Sequence, residues 1–134
     1  MKNEIVIDAA EGNLGRVASY AAKQALLGKK VKIVNCNDAL ITGDKKNILA
    51  SYKTKRARGG SSMKGPNFPR SPERIMKRTV RGMLSFRLRR GREALEKIIC
   101  YNKTPEEFSG SEKISLKRKL KIKAIKLSDL SREM

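Results

Sequence analysis

Residues 4–35 read EIVIDAAEGNLGRVASYAAKQALLGKKVKIVN, and the change of hydrophobic period along them decides the fold class. Glu4-Ile-Val-Ile-Asp8 is a short β-branched run that suits a buried strand. Residues 9–13 make a turn around Gly12, with Asn13 placed as a helix N-cap. Leu14, Val17, Ala18, Ala21, Ala22, Ala25 and Leu26 then recur at i, i+3, i+4, i+7, i+8, i+11 and i+12, the apolar stripe of an amphipathic helix. Gly28 supplies the residue just past its C-cap. Val31-Lys-Ile-Val-Asn35 reads as a second strand. Strand, helix and strand in so short a span make a βαβ unit, so a right-handed crossover and two parallel strands are expected.

Such units often hold dinucleotides, and this one lacks the means. The first turn reads Gly12-Asn-Leu-Gly15, with no third glycine where G-x-G-x-x-G needs one, and the chain has no G-x-x-x-x-G-K-[ST]. Gly12 serves the turn and Gly15 close packing; no nucleotide cofactor is expected. Arg16 sits in the first helical turn, against its own helix dipole, and is expected to serve an external phosphate.

Outward from this unit the charge takes over. Residues 53–92 hold fourteen cations against Glu73 alone, which is +13 of the chain's +19. A field of that density repels itself unless a polyanion neutralises it. Its centre is a helix over 71–84. Ser71 stands at the cap, Pro72 in the first turn, and Glu73 complements the dipole. Ile75, Met76, Thr79, Val80, Met83 and Leu84 line one face, and Arg74, Lys77, Arg78 and Arg81 the opposite one. The cationic face lacks the interleaved Glu of a solvated helix, and arginine suits bidentate phosphate contacts. RNA or DNA phosphate is the partner this pattern favours. A membrane surface is the rival, weakened by the absence of Trp and the presence of only three Phe.

The flanks extend the cationic region. Residues 38–43 lead into a helix over 44–56, with Ile48, Leu49 and Tyr52 on one side and Lys53, Lys55, Arg56 and Arg58 toward its end. Residues 59–70, rich in Gly, Ser and Pro, carry Lys64 and Arg70 and read as a flexible linker or, with cations on both sides, a loop that orders on RNA. Arg87, Arg89, Arg90 and Arg92 form a second dense cationic turn, followed by a short helix and a strand over 98–101. Residues 116–123 alternate partly, like an edge strand or extended arm, and 128–134 look like a capped terminal turn.

A search for chemistry returns little. With no His, nucleophile–histidine pairs and histidine metal sites are excluded. Cys36 and Cys100 have neither C-x-x-C spacing nor a His near them, and read as small apolar side chains rather than ligands or a disulfide. Asp8 ends a strand, where an α/β enzyme places a functional acid, but it reads more readily as a turn residue. No catalytic residue, metal ligand or small-molecule substrate is expected. One domain over 1–134 is expected, with its core over 4–102, its basic region over 53–92 and an extension over 109–134. No apolar run approaches spanning length and no cleavable signal is visible, which points to an intracellular protein.

Ile7-Asp-Ala-Ala followed by Leu14-Gly-Arg-Val-Ala-Ser19, then Ile33-Val-Asn35 and Ile41-Thr-Gly43, resembles the opening of the universal large-subunit ribosomal protein L-thirteen family. Gly65-Pro-Asn-Phe-Pro-Arg70, Pro72-Glu-Arg-Ile75, Thr79-Val-Arg-Gly-Met-Leu84 and Arg90-Gly-Arg-Glu-Ala-Leu95 resemble its archaeal and eukaryotic branch. The resemblance spans residues 4–102 and is loose over 109–134. It implies an α/β fold, three-layer α/β/α with a four-stranded, mostly parallel sheet. It also implies a non-catalytic, cytoplasmic structural protein bound to large-subunit rRNA beside neighbouring ribosomal proteins. The cations at 16 and over 53–92 named above become the rRNA-binding candidates, by phosphate and shape rather than base stacking. Tyr52, Phe68 and Phe86 are the stacking candidates in or beside that region. An RNA-processing enzyme and a general basic nucleic-acid-binding protein are the alternatives.

Overall fold

The computed structural model describes residues 4–57, 71–85, 87–108, 110, 112–115 and 123–133, the side chains of Arg56 and Ala57 apart. Strand β1 (Glu4–Asp8), helix α1 (Leu14–Leu26) and strand β2 (Lys30–Val34) form the expected βαβ unit, its strands parallel with Ile5 opposite Val31 and Ile7 opposite Ile33. Asn13 keeps an extended backbone, and its Oδ1 accepts the Gly15 N–H at 3.0 Å. At the other end Gly28 N–H donates to Ala25 O and Lys29 N–H to Gln24 O. That paired closure needs a left-handed residue, and Gly28 supplies it at φ 96°.

A 3₁₀ turn at Cys36–Asp38 leads to strand β3 (Leu40–Thr42) and helix α2 (Lys45–Ala57). Helices α3 (Pro72–Met83) and α4 (Arg89–Glu96) and strand β4 (Ile98–Cys100) follow. The chain closes with a 3₁₀ turn at Glu106–Phe108, strands β5 (Ile114–Ser115) and β6 (Ala124–Lys126), and helix α5 (Leu127–Glu133). The main sheet has the order β4-β2-β1-β5 with every pairing parallel, and helices flank it in the three-layer α/β/α class. Its fourth strand, β5, falls in a stretch that sequence pattern leaves unassigned. Separately, β3 and β6 pair antiparallel, Leu40 opposite Lys126 and Thr42 opposite Ala124.

The core sits between the sheet and α1, α3 and α4. Ile7, Val31, Ile33 and Ile98 meet Val17, Ala18, Ala21 and Ala25 of α1, Ile75, Met76 and Val80 of α3, and Ala94 of α4. Four alanines on one helix face let α3 and α4 approach closely. Each large side chain buried here stabilises by about 1.5–3 kcal/mol. Val6 and Val34 are buried on the other face of the sheet, where strand alternation puts them.

Three expectations need correction. Met83, read as core-facing, is 46% exposed, because α3 ends there and Leu84 turns in instead. Residues 128–134 are more than a terminal turn: α5 buries Leu127 and Leu130 completely, and Leu127 N–H donates to Ala39 O at 2.9 Å. The last residues thus complete the core. The cationic turn over 87–92 is mostly helix, since α4 starts at Arg89. The loop expected over 59–70 and, except for Lys123, the arm expected over 116–123 lie outside the described residues.

Candidate nucleic-acid interface

Helix α2 carries charge away from the core. Asp44 precedes it, its carbonyl accepting the Ile48 N–H and its carboxylate the Lys46 N–H at 3.3 Å. Ile48 is buried and Leu49 and Tyr52 are half-buried against the core, the three residues that the pattern assigns inward. Burial pushes the Tyr52 hydroxyl above its ordinary pKa. Lys45, Lys46, Lys53 and Lys55 are exposed. Lys55 Nζ lies 5.1 Å from the Tyr52 ring centroid, and Lys45 reaches Glu133 at 3.1 Å, tying the start of α2 to the end of α5.

Helix α3 is held from outside itself. Ser71 has the extended backbone of a cap, but its hydroxyl donates to Glu73 Oε1 at 3.1 Å rather than closing the helix. The first-turn Glu73 N–H is taken by Asn102 Oδ1 at 3.0 Å, from just beyond β4. Thr79, placed by the pattern on the apolar face, satisfies its hydroxyl on Ile75 O at 2.9 Å. Arg74 and Arg81 are exposed and Arg78 is half-exposed, a row at i, i+4 and i+7.

Lys77 does not stand in that row with its head outward, although its place in the sequence puts it on the cationic face. Its Nζ donates to Leu95 O at 2.7 Å and to Ile98 O. Leu95 O belongs to the last turn of α4, where unpaired carbonyls and the negative end of the dipole attract a cation. Ile98 lies on β4, an outer strand of the sheet. Val31 N–H takes Lys97 O and Tyr101 N–H takes Ile33 O, so alternation turns the Ile98 carbonyl away from β2. The ammonium therefore closes an open sheet edge. Burial lowers the Lys77 pKa below its ordinary value.

The start of α4 has the opposite character. Leu88 stands at the N-cap with no side-chain hydrogen bond, and no acid lies in the first turn. Arg87, Arg89, Arg90 and Arg92 are all exposed around it. Cations at a helix N-terminus oppose the dipole by about 0.3–1 kcal/mol each. Within the helix Arg89 is answered by Glu93 at 2.9 Å, both side chains largely in water. Arg16 is exposed on the first turn of α1. Arg56 is described only as α2 backbone, and Arg58, Lys64, Arg70, Phe68 and Phe86 lie outside the described residues.

Asp8 is the last residue of β1, and its side chain ties down the turn that follows. Its Oδ1 accepts the Ala10 N–H at 3.0 Å and the Asn35 Nδ2 at 3.0 Å, while Asn35 Oδ1 accepts the Thr104 hydroxyl at 3.0 Å. Both cysteines are free thiols. A hydrogen bond with the Cys100 side chain, together with burial, holds the Cys36 thiol well above its ordinary pKa and so unreactive. Among the described residues no three His, Cys, Asp or Glu group as a metal site, and no helix is long and apolar enough to cross a membrane. Sequence pattern carries no sign of Asn35, Asn102 or Thr104, whose partners are 27 or more positions away.

The family model described as Ribosomal protein L13 matches residues 2–107. The large ribosomal subunit protein uL13 of Archaeoglobus fulgidus is 50% identical over 107 residues, 80% of this chain and 68% of that protein. That of Natronomonas pharaonis is 43% identical over 132 residues, 98% of this chain and 90% of that protein. That of Methanocaldococcus jannaschii is 39% identical over 132 residues, 96% of each. Similarity to the last two continues through the region after 109, where the family's motifs match only loosely.

Proposed function

The chain belongs to the ribosomal protein L13 family, and from that premise we propose that it is a non-enzymatic structural component of the large ribosomal subunit that braces large-subunit rRNA through phosphate contacts. Neighbouring proteins of that subunit are its other partners, and the cytoplasm, where that subunit resides, is its location. The observation that carries the RNA contact is the start of α4. An uncapped helix N-terminus offers backbone N–H donors and a positive dipole end, and exposed Arg87, Arg89 and Arg92 add guanidinium forks beside it. In water this arrangement opposes itself; around a phosphate every part of it is attractive. Arg74, Arg78 and Arg81 on α3, Lys53 and Lys55 on α2, and Arg16 on α1 extend the cationic surface, so that separate RNA segments are held by one rigid frame. Arg56, Arg58, Lys64 and Arg70 belong to the same basic stretch of sequence and add their charge to it.

The test is binding to large-subunit rRNA against an unrelated structured RNA, titrated in salt, with Arg87, Arg89 and Arg92 together changed to Gln. The expected result is a preference for the rRNA and a log–log salt slope flattened by about 0.7–0.9 for each lost phosphate contact. Equal affinity for both RNAs would instead support a general basic nucleic-acid-binding protein, and an unchanged slope would remove α4 from the interface.

A further inference from the structure

At the C-terminal end of α1, beside the start of α4, lies an open groove of about 420 Å³. Ala22, Leu26, Leu27 and Met83 line it, with Lys23 and Arg90 beside them. Of the five large hydrophobic side chains exposed among the described residues, three meet here: Leu26 at 39%, Leu27 at 66% and Met83 at 46%. Apolar side chains gathered in one concave place mark a contact site more than scattered ones do.

We propose that this groove docks a segment of a neighbouring protein whose aliphatic side chains are flanked by Asp or Glu. Among the described residues the floor is aliphatic and carries no aromatic ring, and Met83 is an adaptable surface for side chains of varied shape. Lys23 and Arg90 are exposed and form no ion pair with an acid among the described residues. They call for carboxylates at the edge of whatever fills the floor. This chain's own stretches outside the described residues do not supply them: 1–3, 58–70 and 116–122 contain cations and no acid. A second copy, also at +19, is disfavoured by the same repulsion. Arg90 thereby leaves the phosphate set and faces protein. The proposal rests on the reading of the chain as a large-subunit protein for the partner's presence, and on the groove alone for its chemistry.

The test uses the full chain and two synthetic amphipathic peptides with one leucine pattern, one flanked by Glu and one by Lys, beside a single-stranded RNA oligonucleotide. Binding is read by fluorescence anisotropy at about 0.15 M salt, where the screening length is about 8 Å and contact pairs at Lys23 and Arg90 still act. The Glu peptide is expected to bind and the Lys peptide not. Leu27→Ser with Met83→Ser should weaken the Glu peptide about tenfold and leave RNA affinity, measured at low salt, unchanged. Both positions are exposed, so the melting temperature should hold; if it falls, Leu27→Ser alone decides. Glu-peptide binding indifferent to these changes, or RNA affinity lost with them, overturns the proposal. A photo-cross-linking residue at position 27, in large subunits purified from cells, supplies the second arm. A protein adduct on an aliphatic stretch flanked by acids supports the groove, whereas an RNA adduct or none overturns it. If the chain does not co-purify with large subunits, the functional reading falls and the peptide result still judges the groove.

Discussion

Helices α1 and α2 are each thirteen residues long, and they do opposite work. Helix α1 buries Leu14, Val17, Ala18, Ala21, Ala22 and Ala25 and is closed at both ends by hydrogen bonds. Of the described α2 side chains only Ile48 is buried, and the exposed positions include Lys45, Lys46, Lys53 and Lys55. The first helix is fixed by what it packs on; the second is anchored by one turn and projects charge. In a chain of net charge +19 the cations accumulate where burial is least, because water and counterions solvate them there until a polyanion arrives. Helix α3 does both jobs on opposite faces, and its Lys77 shows that a cation's position on a helical wheel does not settle which job it has.

The contrast between α1 and α2 breaks first, and hardest, at Ala21. Ala21→Asp puts a carboxylate at a site of 0% exposure, and a loss above about 4 kcal/mol, enough to unfold the chain, is expected in thermal melts followed by circular dichroism. Ser51→Asp on exposed α2 should move stability by less than about 0.5 kcal/mol. Similar losses at both sites would erase the distinction.

Within α3 the same contrast predicts a split. Lys77→Gln should cost about 1–3 kcal/mol of stability, since the Leu95 and Ile98 carbonyls lose their shared ammonium, and should leave the salt dependence of RNA binding unchanged. Arg74→Gln and Arg81→Gln should leave stability within about 0.5 kcal/mol and flatten the salt slope by about 0.7–0.9 each. A slope change at Lys77 would return it to the outward row.

The core side carries a pH signature. Cys36 has its native pKa raised above the ordinary 9.0, so its contribution to stability is whole below that pH. As pH climbs past 9.0 the unfolded chain releases a proton that the native chain keeps, and stability declines by up to about 1.4 kcal/mol per pH unit. Lys77, with its pKa lowered, acts in the opposite sense up to 10.5. Denaturant melts from pH 8 to 10.5, compared between this chain and Cys36→Ala, cancel the lysine and isolate the thiol. Parallel pH profiles would sink the assignment. Smaller still, Asn102→Ala should cost about 1 kcal/mol by uncapping α3, seen in the same melts. Last comes Lys45→Gln, where loss of the exposed pair with Glu133 should cost less than about 1 kcal/mol. A larger loss there would mean α2 is held more firmly than its burial indicates.

What could be read from sequence was what repeats locally. The period of α1, its asparagine cap, its glycine stop and the two strands beside it all rest on spacings within one turn or one pleat. Strand β5 escaped because two residues carry no period, and the pairing of β3 with β6 because it joins positions more than eighty apart. The row Arg74, Arg78 and Arg81 was legible; the withdrawal of Lys77 was not, since it depends on where the last carbonyls of α4 come to lie. Ser71 looked like the cap by its type, yet Asn102 does the capping, because the turn after β4 brings an amide oxygen to the Glu73 N–H. Met83 fitted the apolar face and was released from it only by where α3 stops.

The link from Asn102 to Glu73 spans 29 positions, and that from Thr104 to Asn35 spans 69. A chain emerging from its N-terminus has both partners of the β1–β2 pairing early, since they lie before residue 35. The arginine row cannot be set so soon: the closure of its helix and the seat of Lys77 are both synthesised later, between residues 95 and 102. Order of synthesis therefore separates having the charge from aiming it. A chain stopped short of residue 95 already holds the arginines of α3 but lacks the cap of their helix and the seat of Lys77.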